Sequence, residues 1–404
     1  MRHSVSILGS TGSVGRQALE VLRDLDLELV ALSARQNLDL LYQQCLEFKP
    51  RIVHLAEAAK ALEFKALLEE GASDASWLRE IQLLSGDSNL AELMKPPVTC
   101  VLIAISGFAA LPALAAAIEE KQRIGLANKE AIVCAGHLFM PEIRRRGIDL
   151  IPVDSEHSAI WQCLQSSNKN DLERIYLTAS GGPFRNYSQA QLAKVTVAEA
   201  LAHPRWSMGK KISLDSASMM NKALELIEAQ RLFDLALEKI EVLVHPEALI
   251  HSMVGFVDGS VLAQAAVPDM RLPIQLAFTW PNRQPGLVRL PDFTSESFSS
   301  IHFERVNEDL FPALKLARKA FHLGDLGPTI FNAANEVAAG KFLDEESCFT
   351  DIFAAVEAVL AEAESYLSTL HPGDGVEAGI RAIMEADSWA RARAVDFFNS
   401  IESE

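Results

Sequence analysis

Asp154 and Glu156 stand two residues apart at the end of the strand-like run Asp149–Val153. In an extended segment that spacing turns both carboxylates to one face. Two like charges so close are unfavourable unless a cation lies between them, and oxygen ligands alone suit a hard ion such as Mg2+ or Mn2+. A third acid, Glu225, ends the segment Ser207–Glu225, which sets hydroxyls, a carboxamide and an ammonium on a short element with apolar backing. A core cannot bury that mixture cheaply. On a helix, Asn221, Lys222 and Glu225 share one stripe. Ser180-Gly181-Gly182-Pro183 follows the strand-like Arg174–Thr178 and would offer a hydroxyl and backbone N–H groups to a phosphate. Ser216, Asn221 and Lys222 add hydroxyl, amide and ammonium donors.

Together these residues describe a pocket for a divalent metal and a small phosphorylated polyol. Each has a blander reading. Asp154 would cap a helix over Ser155–Gln165, the glycine pair would make a tight turn, and Ser216 would cap the helix Ser216–Ala229. Convergence on one kind of ligand favours the pocket. His203-Pro204-Arg205-Trp206-Ser207-Met208-Gly209 suits a lid, with Trp206 excluding water and His203 binding substrate. The competing reading is a surface loop anchored by its Trp.

A second site is written near the start. Gly9-Ser-Thr-Gly12-Ser-Val-Gly15 follows an apolar strand and opens a helix, so that backbone N–H groups can reach a pyrophosphate. The spacing is GxxGxxG rather than GxGxxG, and an ordinary glycine-rich turn competes with it. Leu32-Ser-Ala-Arg35-Gln36-Asn37 ends the second strand without the acid that a NAD site places there; Arg35 favours NADP. Asn128-Lys129-Glu130, where a strand meets a helix, can reach a nicotinamide ribose or simply cap that helix.

The elements that must hold these residues fall into three textures. Over residues 1–150, strands at Ser4–Leu8, Leu27–Leu32, Arg51–His54, Ile81–Leu84, Thr99–Ile105 and Arg123–Ala127 alternate with amphipathic stretches. That alternation predicts a doubly wound, Rossmann-like parallel sheet in an α/β fold. Residues 151–285 mix strands and helices out of that order and predict an α+β catalytic domain, with the lid at 200–210. Residues 286–308 read as a linker and 309–404 as a helical domain, with helices at Phe311–Phe321, Pro328–Leu343, Ile352–Leu367 and Val376–Ala386.

Composition narrows the partners. The chain has 404 residues, 37 Lys and Arg against 54 Asp and Glu, and a formal net charge of −17. So acidic a surface disfavours nucleic acid and anionic membrane as partners. No apolar run approaches the roughly 20 residues of a membrane span. The first strand starts so close to Met1 that it leaves no room for a signal peptide. Five scattered cysteines without metal-ligand spacing read as buried thiols in a reducing compartment. The expectation is a cytoplasmic protein.

The chain also resembles the 1-deoxy-D-xylulose 5-phosphate reductoisomerases of the non-mevalonate isoprenoid pathway over essentially its whole length. The likeness is carried by Pro152-Val-Asp-Ser-Glu-His-Ser-Ala159, Ser180-Gly-Gly-Pro-Phe184, His203-Pro-Arg-Trp-Ser-Met-Gly209, Asp215-Ser-Ala-Ser-Met-Met-Asn-Lys222, His245-Pro-Glu247, Ile250-His-Ser-Met253 and Asn332-Ala-Ala-Asn-Glu336. It implies a homodimer that uses NADPH and one divalent ion (Mg2+, Mn2+ or Co2+) on a phosphorylated ketose. By position, Asp154, Glu156 and Glu225 would ligate the metal and Ser155 would contact substrate oxygens. Ser180, Ser216, Asn221 and Lys222 would hold the phosphate end, and His203, Trp206 and Met208 would belong to the lid. Thr11, Gly12, Ser13 and Val14 would bind the pyrophosphate, with Arg35, Gln36, Asn37 and Gly209 also on the cofactor side. Asn128, Lys129 and Glu130 would lie by the nicotinamide ribose and substrate, Met270 near the nicotinamide ring, and His251 one tier out. The family often places Gly and then a basic residue before the Asn aligned with Asn37; here Arg35-Gln36 moves the basic group by one.

The implied reaction rearranges the ketose phosphate through C–C cleavage and rejoining to an aldehyde, which NADPH reduces to 2-C-methyl-D-erythritol 4-phosphate. Lys129, Glu156, His203, Trp206, Lys222 and Glu225 are the catalytic candidates. A plain NADP-linked sugar-phosphate dehydrogenase would need no carboxylate triad, and an NADPH-sensing regulator would have no use for a metal cage.

Overall fold

A computed structural model describes residues 4–165, 167–202, 209–295, 300–370, 373 and 375–402. In chain order the first half holds β1 (Ser4–Leu8), α1 (Ser13–Asp24), β2 (Glu28–Ala34), α2 (Leu38–Phe48), β3 (Ile52–Leu55), α3 (Ala58–Gly71), β4 (Gln82–Ser85), α4 (Leu90–Met94), β5 (Cys100–Ile103), α5 (Leu111–Glu119), β6 (Ile124–Leu126), α6 (Lys129–Arg146), β7 (Leu150–Pro152) and α7 (Ser155–Leu164). The second half holds β8 (Leu172–Ala179), α8 (Gln189–Leu192), α9 (Val197–Leu201), α10 (Lys210–Ala217), α11 (Met220–Phe233), β9 (Ile240–Val244), β10 (Ile250–Phe256), β11 (Val261–Ala265), α12 (Arg271–Thr279), β12 (Glu304–Arg305), α13 (Ala313–His322), α14 (Gly327–Leu343), α15 (Asp351–Leu367) and α16 (Val376–Glu402). The chain forms two compact units, each assembled from three segments.

The first unit comprises Met1–Ala131, Pro141–Trp161 and Asp269–Leu290. Its seven strands pair in the order β4-β3-β2-β1-β5-β6-β7, all parallel. Helices cover both faces, so the strands are nearly continuous apolar runs; Cys100–Ile103 is wholly buried. The chain winds outward from β1 to β4 and then crosses to β5, which makes the gap between β1 and β5 the switch point where such sheets bind ligands. The alternation of elements predicted over residues 1–150 is what the structure contains. One helix was not foreseen: α12 lies in this unit, its Ile274, Ala277 and Phe278 buried in the same core as Val5, Leu32 and Leu102. Gly125 on β6 permits that approach, since a Cβ there would sit 3.2 Å from the Ala277 methyl.

The second unit comprises Ile132–Met140, Gln162–Pro268 and Pro291–Glu404. A mixed sheet runs β11-β10-β8-β9-β12, with β8 and β9 parallel and the other pairs antiparallel. The segment read as a linker supplies β12. It is also tied down by His245, whose Nδ1 donates to the His302 carbonyl at 2.9 Å while Nε2 accepts from the Leu249 and Ile250 N–H groups. The C-terminal helices belong to this unit, with α14 packed on α15 and α16.

Three further expectations are corrected. The single helix predicted over Ser216–Ala229 is two, α10 and α11, broken at Met219, whose φ is 62°. The last helix runs to Glu402 rather than Ala386. Four of the five thiols are buried, but Cys348 is exposed; none of the five is in a disulfide. Burial pushes the Cys45 and Cys100 thiols up to about 12 and Cys163 to about 11, which leaves them protonated. No described helix is long and apolar enough to cross a membrane.

Candidate active site

In the first unit the singled-out residues, together with the turn after β5, line up along one edge. Gly9–Gly12 leaves β1, Ser106–Gly107 follows β5, Asn128 follows β6 and Asp154 follows β7. All four lie at carboxyl ends of neighbouring parallel strands, spaced about 4.8 Å apart.

The glycines of the first turn have separable jobs. Gly9 adopts φ +86°, and a Cβ there would fall 2.4 Å from the Ala104 carbonyl oxygen, so it sets the turn against β5. Gly15 lets α1 close on the strand end, where a Cβ would lie 2.3 Å from the Gly9 carbonyl oxygen. Neither reason applies to Gly12. Its φ is −75°, and a Cβ would meet only the Gly9 oxygen, at 3.3 Å. Gly12 is the N-cap of α1 and makes no side-chain cap, and the first turn carries no acid. Open space over uncapped N–H groups is what a pyrophosphate requires. Sequence reading missed the lock beneath this turn: Ser10 Oγ donates to Gln44 Oε1 at 2.7 Å, and Gln44 Nε2 donates back to the Ser10 carbonyl at 3.1 Å.

Arg35 lies exposed at the end of β2, 3.6 Å from Glu57, and Asn37 caps α2 by accepting the Leu40 N–H. Met270 precedes α12 and packs against the core of this unit. Asn128 is 1% exposed. Its Oδ1 accepts from the Ala131 N–H at 2.6 Å, while its Nδ2 donates to the Ile105 and Gly107 carbonyls at 2.6 and 3.0 Å. The carboxamide is thus spent on capping α6 and tying β6 to the loop after β5, rather than left for a ribose. Glu130 follows in the first turn of α6, half-buried.

Asp154 does two things at once. Its Oδ1 accepts from the backbone N–H of Glu156 at 3.1 Å and of His157 at 3.3 Å, capping α7. Its Oδ2 takes a hydrogen bond from Lys129 Nζ at 3.2 Å. Glu156 lies in the first turn of α7, not in an extended segment, because β7 ends at Pro152. The same-face argument from strand geometry therefore fails; the helix head sets the two acids instead. Ser155 Oγ donates to Glu156. His157, for which the sequence reading had no role, is fully buried with Nδ1 3.0 Å from Asp154 Oδ1. The carboxylate can only accept, which puts the proton on Nδ1. Its position three residues after a capping Asp was the available signal.

In the second unit, β8 runs into Ser180-Gly181-Gly182. Both glycines are left-handed, with φ of 82° and 65°. A Cβ on Gly182 would sit 2.8 Å from the Ser216 carbonyl oxygen, so this loop lies directly on the last turn of α10. The turn that begins at Ser180 thus rests on the Ser216 backbone. Ser216 lies within α10 and is not the N-cap of the next helix. On α11, Glu225 receives hydrogen bonds from Asn221 and Lys222, the stripe expected from helical spacing. Lys222 and Glu225 are buried. His251 is buried on β10. His203, Trp206 and Met208, the expected lid, lie outside the described residues; Gly209 is the exposed N-cap of α10.

Asp154, Glu156 and Glu225 each offer a carboxylate oxygen. A donor set of oxygens alone fits a hard divalent ion.

Sequence profiles agree with one another along the chain. A 1-deoxy-D-xylulose 5-phosphate reductoisomerase profile matches residues 5–136, and two profiles of that enzyme's C-terminal domain match 150–233 and 265–393. The chain is 41% identical over 395 residues to the 1-deoxy-D-xylulose 5-phosphate reductoisomerase of Ruminiclostridium cellulolyticum, spanning 98% of this chain and 99% of that one. The Heliobacterium modesticaldum enzyme is 45% identical over 398 residues, 97% of this chain and 96% of that one. Among solved structures, the Zymomonas mobilis enzyme in complex with NADPH aligns at 38% identity and a TM-score of 0.87, over 99% of this chain and 100% of its own. A reductoisomerase complex with NADPH, fosmidomycin and magnesium aligns at 38% identity and a TM-score of 0.89, over 99% of both chains. The chain belongs to the 1-deoxy-D-xylulose 5-phosphate reductoisomerase family.

Proposed function

We propose that this chain converts 1-deoxy-D-xylulose 5-phosphate to 2-C-methyl-D-erythritol 4-phosphate, with NADPH as reductant and a divalent metal ion. The observation that carries the reading is the strand edge of the first unit. It sets an uncapped glycine turn, Lys129 and the acids Asp154 and Glu156 at the carboxyl ends of β1, β6 and β7. Such an edge is built for a dinucleotide and a polarising ion together, which a plain dehydrogenase does not need.

Asp154, Glu156 and Glu225 are the residues we assign to the metal, which supplies Lewis-acid polarisation of the substrate oxygens when bound. Ser180, Ser216, Asn221 and Lys222 bind the phosphate and neighbouring hydroxyls, and Ser155 orients the substrate oxygens. Glu225 holds the Lys222 ammonium, so that donor is in place before substrate arrives. Lys129 donates a hydrogen bond to Asp154 and is the group we assign to proton movement at a substrate hydroxyl. Thr11, Gly12, Ser13 and Val14 receive the pyrophosphate, Arg35 to Asn37 the 2′-phosphate end and Met270 the nicotinamide side. His203 and Trp206 close over the substrate and exclude water, with remote phosphate binding driving that closure.

The edge strand β11 carries Val261 and Leu262 exposed beside Val257, a surface suited to a second copy of this chain; we assign a homodimer on that basis. Five cysteines outside any disulfide fit a cytoplasmic protein.

Glu225→Gln tests the reading. We expect NADPH binding within twofold of the parent, loss of turnover by about a hundredfold or more and weaker Mn2+ binding. Unchanged turnover would remove Glu225 from the mechanism and leave the dehydrogenase reading.

A further inference from the structure

The motif Asn332-Ala-Ala-Asn335-Glu336 on α14 is used by none of the chemistry above, and its two asparagines are buried. Asn332 and Asn335 are 1% and 0% exposed, and Thr329 one turn earlier is 0% exposed. Three polar side chains facing into a helical bundle call for a partner. Asn335 has one of consequence: its Nδ2 donates to Asp215 Oδ1 at 3.0 Å, across 120 residues of sequence. Asp215 is 3% exposed, and its other oxygen accepts from Lys211 Nζ at 2.6 Å. Both Asp215 and Lys211 lie on α10. That helix receives the chain from the expected lid at Gly209 and carries Ser216 immediately after Asp215.

Other contacts show how little freedom is left at each end. The Gly182 turn rests on the Ser216 backbone, and Ser218 Oγ donates to the Leu214 and Asp215 carbonyls at 3.0 and 3.3 Å. On the far side, Glu336 pairs with Arg391 of α16, which also binds Asp387, and Asn332 donates to Glu336. Asn335 thus stands on a helix pinned to the bundle and reaches a helix whose position the phosphate site depends on. Among the described residues, the Oδ1 of Asn335 has no hydrogen-bond partner. The donor half of the carboxamide is the part that reaches Asp215.

We propose that Asn335 is a positioning residue: through Asp215 it holds α10, and with it Ser216, in the register that binds the substrate phosphate. It touches no ligand itself. The proposal rests on the assignment of Ser216 to the phosphate in the preceding section.

The test compares steady-state kinetics of Asn335→Ala, Ser216→Ala and the exchanged pair Asp215→Asn with Asn335→Asp. Asn335→Ala is expected to raise KM for the ketose phosphate by about tenfold while leaving KM for NADPH within twofold. Asn335→Asp alone sets two carboxylates together and is expected to be worse. The exchanged pair restores one amide–carboxylate bond and is expected to recover most of the ketose KM. A folded Asn335→Ala with unchanged ketose KM, or with both KM values raised alike, overturns the proposal. If Asn335→Ala does not fold, Lys211→Met decides, since it loosens the same Asp215 from its more exposed side: a raised ketose KM supports the proposal and an unchanged one overturns it. If Ser216→Ala leaves the ketose KM unchanged, it is the phosphate assignment that fails, a separate outcome.

Discussion

Each compact unit holds a lysine against a carboxylate, and the two pairs are built by different means. Lys129 and Asp154 are 16% and 19% exposed, come from separate elements, and share Asp154 with His157 and two helix N–H groups. Lys222 and Glu225 are 5% and 1% exposed and sit on one helix, joined by Asn221. The first pair is a node of tertiary structure open to solvent. The second is a local, dry pair whose ions have given up hydration and depend on each other. That difference decides what each should do when broken.

The largest effect is expected at Lys222. Lys222→Met takes the lysine away from the buried Glu225 carboxylate, and should lower stability by about 3–5 kcal/mol, read as a fall in the urea midpoint with unchanged slope, besides abolishing turnover. Lys129→Met should cost only about 1 kcal/mol, because water and the α7 N–H groups still serve Asp154. Equal losses at the two sites would break the comparison.

The glycine turn sharpens it from another side. Gly15→Ala drives a Cβ into the Gly9 carbonyl and should destabilise the protein by about 1–3 kcal/mol. Gly12→Ala meets little protein. It should leave stability within about 0.5 kcal/mol yet raise KM for NADPH by about tenfold. A Gly12→Ala variant with parental NADPH KM would return that turn to an ordinary structural role.

The smallest effect concerns the half-exposed ion cluster that ties α12 to α1. Burial raises the Asp269 carboxyl, but the Arg271 hydrogen bonds outweigh it and hold the pKa below the usual carboxylate range. A carboxyl depressed on folding adds stability that is present above the ordinary value of about 3.9. That stability is lost as pH falls through the folded value. Arg271→Leu should therefore remove a few tenths of a kcal/mol at neutral pH and nothing below the folded value, seen by comparing melting curves across that range.

The same contrast explains what could be read from the chain alone. Asn221, Lys222 and Glu225 were legible because helical spacing puts residues three and four apart within reach of one another, as Lys222 and Asn221 are of Glu225. The parallel sheet was legible for the same local reason, apolar runs alternating with amphipathic helices, and β1 falls on its predicted bounds. Lys129 against Asp154 needed the β6–β7 pairing, a long-range fact with no local mark. The break between α10 and α11 falls at Met219, which is no turn residue; buried bonds of Ser218 hold it there. The last helix was cut short because its inward face past Ala386 is Ala390, Ala394 and Phe398, a stripe too small to stand out. That α12 returns to the first unit, and that residues 304–305 form a strand, depend on packing by Gly125 and His245 that spacing does not reveal.

The most direct measurement is NADPH oxidation by the purified protein with 1-deoxy-D-xylulose 5-phosphate, first with Mn2+ and then after chelation, with the product identified by NMR. The account predicts oxidation that stops on chelation and resumes with Mn2+, yielding the branched 2-C-methyl-D-erythritol 4-phosphate. Oxidation that ignores chelation, or an unbranched reduced sugar phosphate as product, would contradict it.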